Sequence, residues 1–229
     1  MIQEKIKQLK QMIIAQANDV ENMLAHFKKG LFEKDKEILV RLVEVEETNL
    51  NNNEIIIDRH CAEVLARFRP EATDLRFVFM VSRMNTDLER MGDHCVNMTE
   101  SALFFLENPV STEMTAANLA DSIDAMLTKA QAMLTDCISA FINEDVTLAE
   151  NICSRDREID ELNESIYRQI ITMIQQKTSR VETFLHLIRI VNNIEKLADL
   201  TTNIAEEVIY ISTGVNIKHS NHEDLMQQL

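Results

Sequence analysis

The segment Glu89-Arg90-Met91-Gly92-Asp93-His94-Cys95-Val96-Asn97 is written a second time as Glu195-Lys196-Leu197-Ala198-Asp199-Leu200-Thr201-Thr202-Asn203, with an arginine six residues upstream in both copies, Arg83 and Arg189. The offset is a constant 106, and Glu100 and Glu206 extend the match by one more helical turn. A repeat of this length in a chain of 229 residues restricts the fold to two copies of one unit of roughly 105 residues, near the common domain size. Because an α-helix turns once every ~3.6 residues, Glu89, Asp93, Asn97 and Glu100 share one face, as do Glu195, Asp199, Asn203 and Glu206. Each half therefore presents an acidic stripe.

The unit is helical. Three glycines (Gly30, Gly92, Gly214) and two prolines (Pro70, Pro109) leave little to interrupt a helix. Apolar periodicity predicts six helices, at about 2–30, 35–68, 72–106, 113–142, 145–177 and 180–213. Gly30 is expected to end the first, Arg69-Pro70 to break the second from the third, and Asn108-Pro109-Val110-Ser111 to separate the halves. The expected architecture is all-α: two tandem three-helix bundles related by internal duplication, at 1–107 and 113–214, each burying its own core. They would be joined end to end or side by side into an elongated acidic body. A polar tail, 215–229, is expected to be mobile or to depend on a partner. In the third helix Met80, Met84, Leu88, Met91, Cys95, Met98 and Ala102 form a packing seam beside the acidic stripe.

Charge and cysteine usage exclude several roles. The formal charge of −15 repels phosphate backbones and anionic membrane surfaces, which argues against direct nucleic-acid binding. Cys61, Cys95, Cys137 and Cys153 contain no Cys-x-x-Cys pair and read as reduced core residues of a cytoplasmic protein. No stretch approaches the length of an uncharged membrane span, so contact with a membrane is expected only through membrane proteins.

A second pair of acidic segments lies on the middle helix of each half. Glu47, Asn51, Glu54 and Asp58 match Asp156, Asp160, Asn163 and Tyr167 at an offset of 109, which implies a length difference of three residues between the second and third helices. Each half thus offers two acidic helices to one point in space. Such oxygen-rich sites suit hard cations, with Mg²⁺, Ca²⁺, Mn²⁺ and iron all chemically compatible. Asn97 and Asn203 are placed to ligate or steady the carboxylates, whereas Arg83 and Arg189 read as ion-pair partners. Gly92, facing Ala198 in the repeat, marks a close helix approach, and His94 is a candidate ligand in one half only. The competing reading is a solvated acidic face. Glu-x-x-His pairs, Gly-rich phosphate loops and nucleophile triads are all missing from the sequence, which leaves a catalytic role weakly supported.

With these residues in view, the chain resembles the PhoU family of phosphate-uptake regulators over almost its whole length. The resemblance rests on Arg67-x-Arg69-Pro70-x-Ala72-x-Asp74-Leu75-Arg76, on Leu88-Glu89-Arg90-Met91-Gly92-Asp93-His94-x-x-Asn97, and on Ile194-Glu195-Lys196-Leu197-Ala198-Asp199-x-x-x-Asn203-Ile204-Ala205-Glu206, with Gly214 closing the last helix. It implies tandem three-helix bundles whose Glu/Asp-x-x-x-Asp motifs bind metal ions or iron or zinc clusters. Those motifs fall on Glu89 and Asp93, Glu195 and Asp199, and Asp156 and Asp160, with Glu47 and Asn51 matching in place only. Lys196 and Ala198 stand where arginine and glycine are common. The resemblance further implies a non-enzymatic, frequently homodimeric adaptor that represses the phosphate-starvation response through a sensor histidine kinase and the phosphate ABC transporter. Two alternatives stand beside it: a carboxylate-metal enzyme, and a helical scaffold regulating a sodium-phosphate transporter.

Overall fold

The computed structural model describes residues 2–108, 115–176, 180–215 and 217. Its helices are α1 (Ile2–Glu33), α2 (Lys36–Arg41), a π-helical turn (Leu42–Glu46), α3 (Glu47–Phe68), α4 (Ala72–Glu107), α5 (Thr115–Asn143), α6 (Val146–Gln176) and α7 (Val181–Thr213). The backbone stays right-handed through α2, the π turn and α3, so these run on as one rod and the chain forms six rods, three per half. Nothing in the expected helix pattern is displaced by more than a few residues. The Pro109–Ser111 break and most of the polar tail lie outside the described residues.

The halves use one design for the turn between their first two rods. Lys34 and Glu144 take the left-handed conformation, with φ of 59° and 56°. The next residue donates its backbone N–H five positions back, Asp35 to Gly30 and Asp145 to Ala140, both at 3.0 Å. This closes the helix by the Schellman pattern. The same residue then caps the next helix, the Asp35 carboxylate accepting from the N–H groups of Glu37 and Ile38 and that of Asp145 from Leu148. Gly30 therefore does not end α1, which continues to Glu33. Its smallness serves packing instead, since a Cβ there would lie 2.5 Å from Leu39 Cδ2. The second half makes the complementary choice, Ala140 with Ala149.

The two halves lie side by side. α4 and α7 form the most extensive inter-helix contact and run antiparallel, Arg83 meeting Glu207 and Arg189 meeting Asn97. All seven residues of the expected α4 seam are buried. A second antiparallel contact joins α1 to α5 through polar groups, with Lys10–Glu144 and Lys28–Asp124 ion pairs both at 3.0 Å and a hydrogen bond from Thr135 to Glu21. Between them Ile13, Ala17, Met84, Leu88, Leu134 and Ile204 line the junction, and the buried apolar residues of both halves form one continuous core. Gly214 (φ 76°) caps α7 in the left-handed conformation, and Ile217 beyond it is buried at 8 % exposure.

Gly92 sits where α4 meets α3. A Cβ at this position would lie 2.1 Å from Leu50 Cδ2, and Leu50 is itself buried. Gly92→Val is expected to lower stability by about 1–3 kcal/mol, the usual cost of overpacking, and Leu50→Ala in the same chain is expected to return part of it. Urea midpoints of the single and double variants measure both.

Candidate acidic sites

In the first half the π turn delivers Glu47 as the opening residue of α3, and Asn51 and Glu54 follow on the same face. Leu50, buried between them, packs at Gly92, which precedes Asp93. Apolar contact between the two helices thus forces their acidic faces together. Glu47 is raised above the ordinary carboxylate range by burial and by the negative charges of Asp93 and Glu100. Burial, Asp58 and Asp93 raise Glu54. Glu89 is raised by burial, Asp93 and Glu54, against a lowering by Arg90 and with a further small push from Glu47. Asn51 is half-buried within this stripe.

The second half is tighter. Asp156 and Asp160 on α6 and Asp199 on α7 each place a carboxylate oxygen within 4.8 Å of the others. Burial, then Asp199 and Asp160, push the Asp156 carboxyl up to about 6, although the Thr202 hydroxyl donates to it at 3.4 Å. Glu195 adds to the same push. Ile159, buried between the two α6 acids, plays the part of Leu50, and Ala198 that of Gly92. Asn203 and Glu206 lie half-buried further along α7.

The structure adds two residues to the expected sets. Glu54 joins the first cluster, and its signal was present in the spacing, two turns from Glu47 on one face. Cys153 stands beside the second, its thiol raised to about 12 by burial and by the charges of Glu206 and Asp156. Only the folded arrangement reveals that neighbour, since Glu206 is far away in sequence. The Nδ1 of His94, the ligand candidate of the first half, lies 2.7 Å from Asn193 Oδ1 on α7.

The arginines pair as expected, but across the halves. Arg189 of α7 donates to Asn97 Oδ1 at 2.5 Å and Glu100 Oε2 at 3.2 Å, both on α4. Arg83 of α4 reaches Glu207 of α7 at 3.2 Å, and that carboxylate is 1 % exposed. Arg189 therefore closes the far end of the first repeat's acidic stripe, whereas Arg83 pairs with Glu207, the residue next to the end of the second stripe.

Comparisons with known proteins show which family shares this sequence and fold. The family model described as the PhoU domain matches the chain twice, at residues 13–102 and 123–208. A phosphate-specific transport system accessory protein PhoU homolog of Aquifex aeolicus is 27 % identical over 218 residues, covering 95 % of this chain and 96 % of that one. The corresponding homolog 1 of Thermotoga maritima is 31 % identical over 207 residues, covering 88 % and 87 %. The Escherichia coli K12 phosphate-specific transport system accessory protein PhoU is 25 % identical over 221 residues, covering 96 % and 89 %. The crystal structure of the phosphate transport system regulatory protein PhoU from Streptococcus pneumoniae superposes with a TM-score of 0.85 at 25 % identity, covering 94 % of this chain and 99 % of that one. That of PhoU from Pseudomonas aeruginosa, 24 % identical and covering 94 % and 100 %, shares the fold with a TM-score of 0.88.

Two predictions follow from the electrostatics. Asp156 has a folded pKa above its unfolded value, so its protonated form favours the native state; that contribution is present below about pH 4 and is lost as pH rises through about 6. In chelator, Asp156→Asn is expected to flatten this part of the fall in Tm between pH 4 and 7, read by differential scanning fluorimetry. Arg83→Met is expected to cost about 1–2 kcal/mol, because Glu207 stays buried, whereas Arg189→Met costs under about 1 kcal/mol because Glu100 is exposed. Denaturant unfolding of the two variants gives the comparison. With both acidic sites on a matching pair of repeats, matched across both halves by one family model, the chain belongs to the PhoU family.

Proposed function

We propose that this protein is a non-enzymatic phosphate-signalling adaptor, a negative regulator of the phosphate-starvation response and of phosphate uptake. The observation that carries the reading is the PhoU-domain match over both repeats, in a fold shared with the phosphate transport system regulatory protein PhoU of Streptococcus pneumoniae. Residues 1–107 and 113–214 act as its two bundles, with 215–229 as a tail. Its work is done by contact, with a sensor histidine kinase and the phosphate ABC transporter, from a cytoplasmic position and as a homodimer. Among the described residues no helix is long and apolar enough to cross a membrane, which suits a protein that meets membrane proteins from outside the bilayer.

The acidic clusters are proposed to hold metal. The donor set fits, because three carboxylate oxygens lie within 4.8 Å of one another, and burial together with that crowding of negative charge raises the Asp156 carboxyl to about 6. Glu47, Asn51, Glu54, Glu89 and Asp93 would hold an ion in the first half, with Asn97 and Glu100 beside them. Asp156, Asp160, Glu195 and Asp199 would do so in the second, with Asn203 and Glu206 beside them. Iron, zinc, manganese, magnesium and calcium all accept carboxylate oxygen. A bound ion would supply positive charge that offsets the repulsion and fastens α3 to α4 and α6 to α7. The protein's own residues then set the shape of the acidic face that a basic partner surface meets, an attraction that acts mainly on association rate.

The test is alkaline phosphatase activity in phosphate-rich medium. A deletion strain is expected to show high activity, and the intact gene to restore low activity; unchanged activity in the deletion would remove the repressor role. The purified protein is expected to lose bound metal, by elemental analysis, when Asp93 and Asp199 are both replaced by Ala. Full metal content in that double variant would sink the ligand assignment.

A further inference from the structure

The two acidic clusters carry the same formal inventory with one amide displaced. Asn51 and Glu54 of the first half stand opposite Asp160 and Asn163 of the second, so each set combines four carboxylates with one amide. What differs is the nearest cation. In the second half the Lys196 ammonium lies 3.0 Å from Glu195 Oε2 and 2.8 Å from Asp199 Oδ2, so it bridges two members of the cluster. Its counterpart Arg90 makes its ion pair with Asp87 at 3.5 Å, one turn back on α4, and acts on Glu89 only through its nearby charge.

The divergence of the repeat explains the difference. The position one turn before Lys196 is Asn193, where the first half has Asp87. Asn193 carries no charge, and its side chain is engaged with His94 and with the Arg189 carbonyl. Lacking a carboxylate behind it, the lysine folds forward onto Glu195 and Asp199.

We propose that Lys196 is a tethered counter-cation of the second acidic cluster, which an incoming divalent ion displaces. This rests on the reading that the clusters hold metal. An ammonium has three donors and no acceptor, so it neutralises these carboxylates, and a divalent cation brought to the same carboxylates repels it as a like charge. Displacement is feasible because the pair is partly exposed: the Lys196 side chain retains 54 % of its accessible surface and can swing into solvent on its flexible stem. The first half asks for no such step. Arg90 makes its ion pair with Asp87, outside the proposed ligand set.

Mn²⁺ alone is the probe, titrated calorimetrically into full-length protein. In a Glu89→Gln/Asp93→Asn background, which isolates the second half, Lys196→Met and Lys196→Gln are each expected to tighten Mn²⁺ binding by about 3- to 10-fold, the range expected for relieving one exposed ion pair and its field. In an Asp156→Asn/Asp199→Asn background, Arg90→Met is expected to change affinity by less than about 2-fold on the same scale. The second readout is acetylation of Lys196 in otherwise unaltered protein, followed by mass spectrometry. Saturating Mn²⁺ is expected to accelerate it by several-fold as the ammonium is released. Affinity unchanged or weakened in both lysine variants overturns the proposal, as does tightening without faster acetylation, since that would make the lysine a distant field and not an occupant. Absence of Mn²⁺ binding in the unsubstituted protein and in every variant would instead remove the metal reading, and this inference with it.

Discussion

The contact between a buried branched side chain and a very small residue fixes the rest of this structure. Leu50 sits against Gly92, and a Cβ on that glycine would be 2.1 Å from the leucine methyl. Glu47 and Glu54 flank Leu50 on one helix, and Asp93 follows Gly92 on the other. The apolar contact and the acidic cluster are therefore one feature seen from inside and from outside. Burial of a leucine contributes about 1.5–3 kcal/mol, which acts against the repulsion of the acidic faces, where burial and neighbouring carboxylates raise Glu47, Glu54 and Glu89 above the ordinary range. The second half reproduces the device with Ile159 and Ala198, and there the carboxylates come closest.

The duplication also decides how the halves join. Two copies of one unit meeting through the same helix pack antiparallel about an approximate two-fold axis, the arrangement of an isologous dimer made within one chain. The swapped arginines follow from that geometry. A residue six positions before the acidic motif in one copy lies beside the residues just after it in the other, so Arg83 meets Glu207 while Arg189 meets Asn97 and Glu100. Partnering across the axis couples the two acidic stripes mechanically. A shift of α4 along α7 would strain both arginine contacts at once, although only the one to Glu207 is substantially buried.

Much of this was legible in the sequence because the signals were periodic. Six rods, their approximate ends and the α4 seam follow from apolar spacing with few breakers, and the clusters follow from acids repeated at helical intervals. The parts that were not legible share a cause. Gly30 reads as a stop because glycine favours helix ends, but here the left-handed residue is Lys34 and the glycine makes room for Leu39. The Nδ1 partner of His94, Asn193, lies on a helix 99 positions away, a pairing that no spacing within α4 announces. Packing partners and cross-half pairings depend on which helices touch, and periodicity within a single helix does not carry that information.

The π turn shows how a repeat can change length without losing its site. Leu39 and Leu42 lie 110 residues before Ala149 and Ile152, whereas Leu50 and Ile57 lie 109 before Ile159 and Ile166, and all eight are buried. The first copy therefore carries one extra residue between Leu42 and Leu50, where its helix widens at Leu42–Glu46. In an unbroken α-helix that residue would rotate everything after it by about 100°, since each residue advances the helix by a fraction 1/3.6 of a turn. Leu50 would leave Gly92, and Glu47 would swing away from Asp93. A single π turn absorbs the residue by lengthening one loop of the helix ladder, so the apolar phase is kept on both sides and Glu47, the first residue after the turn, stays aimed at α4.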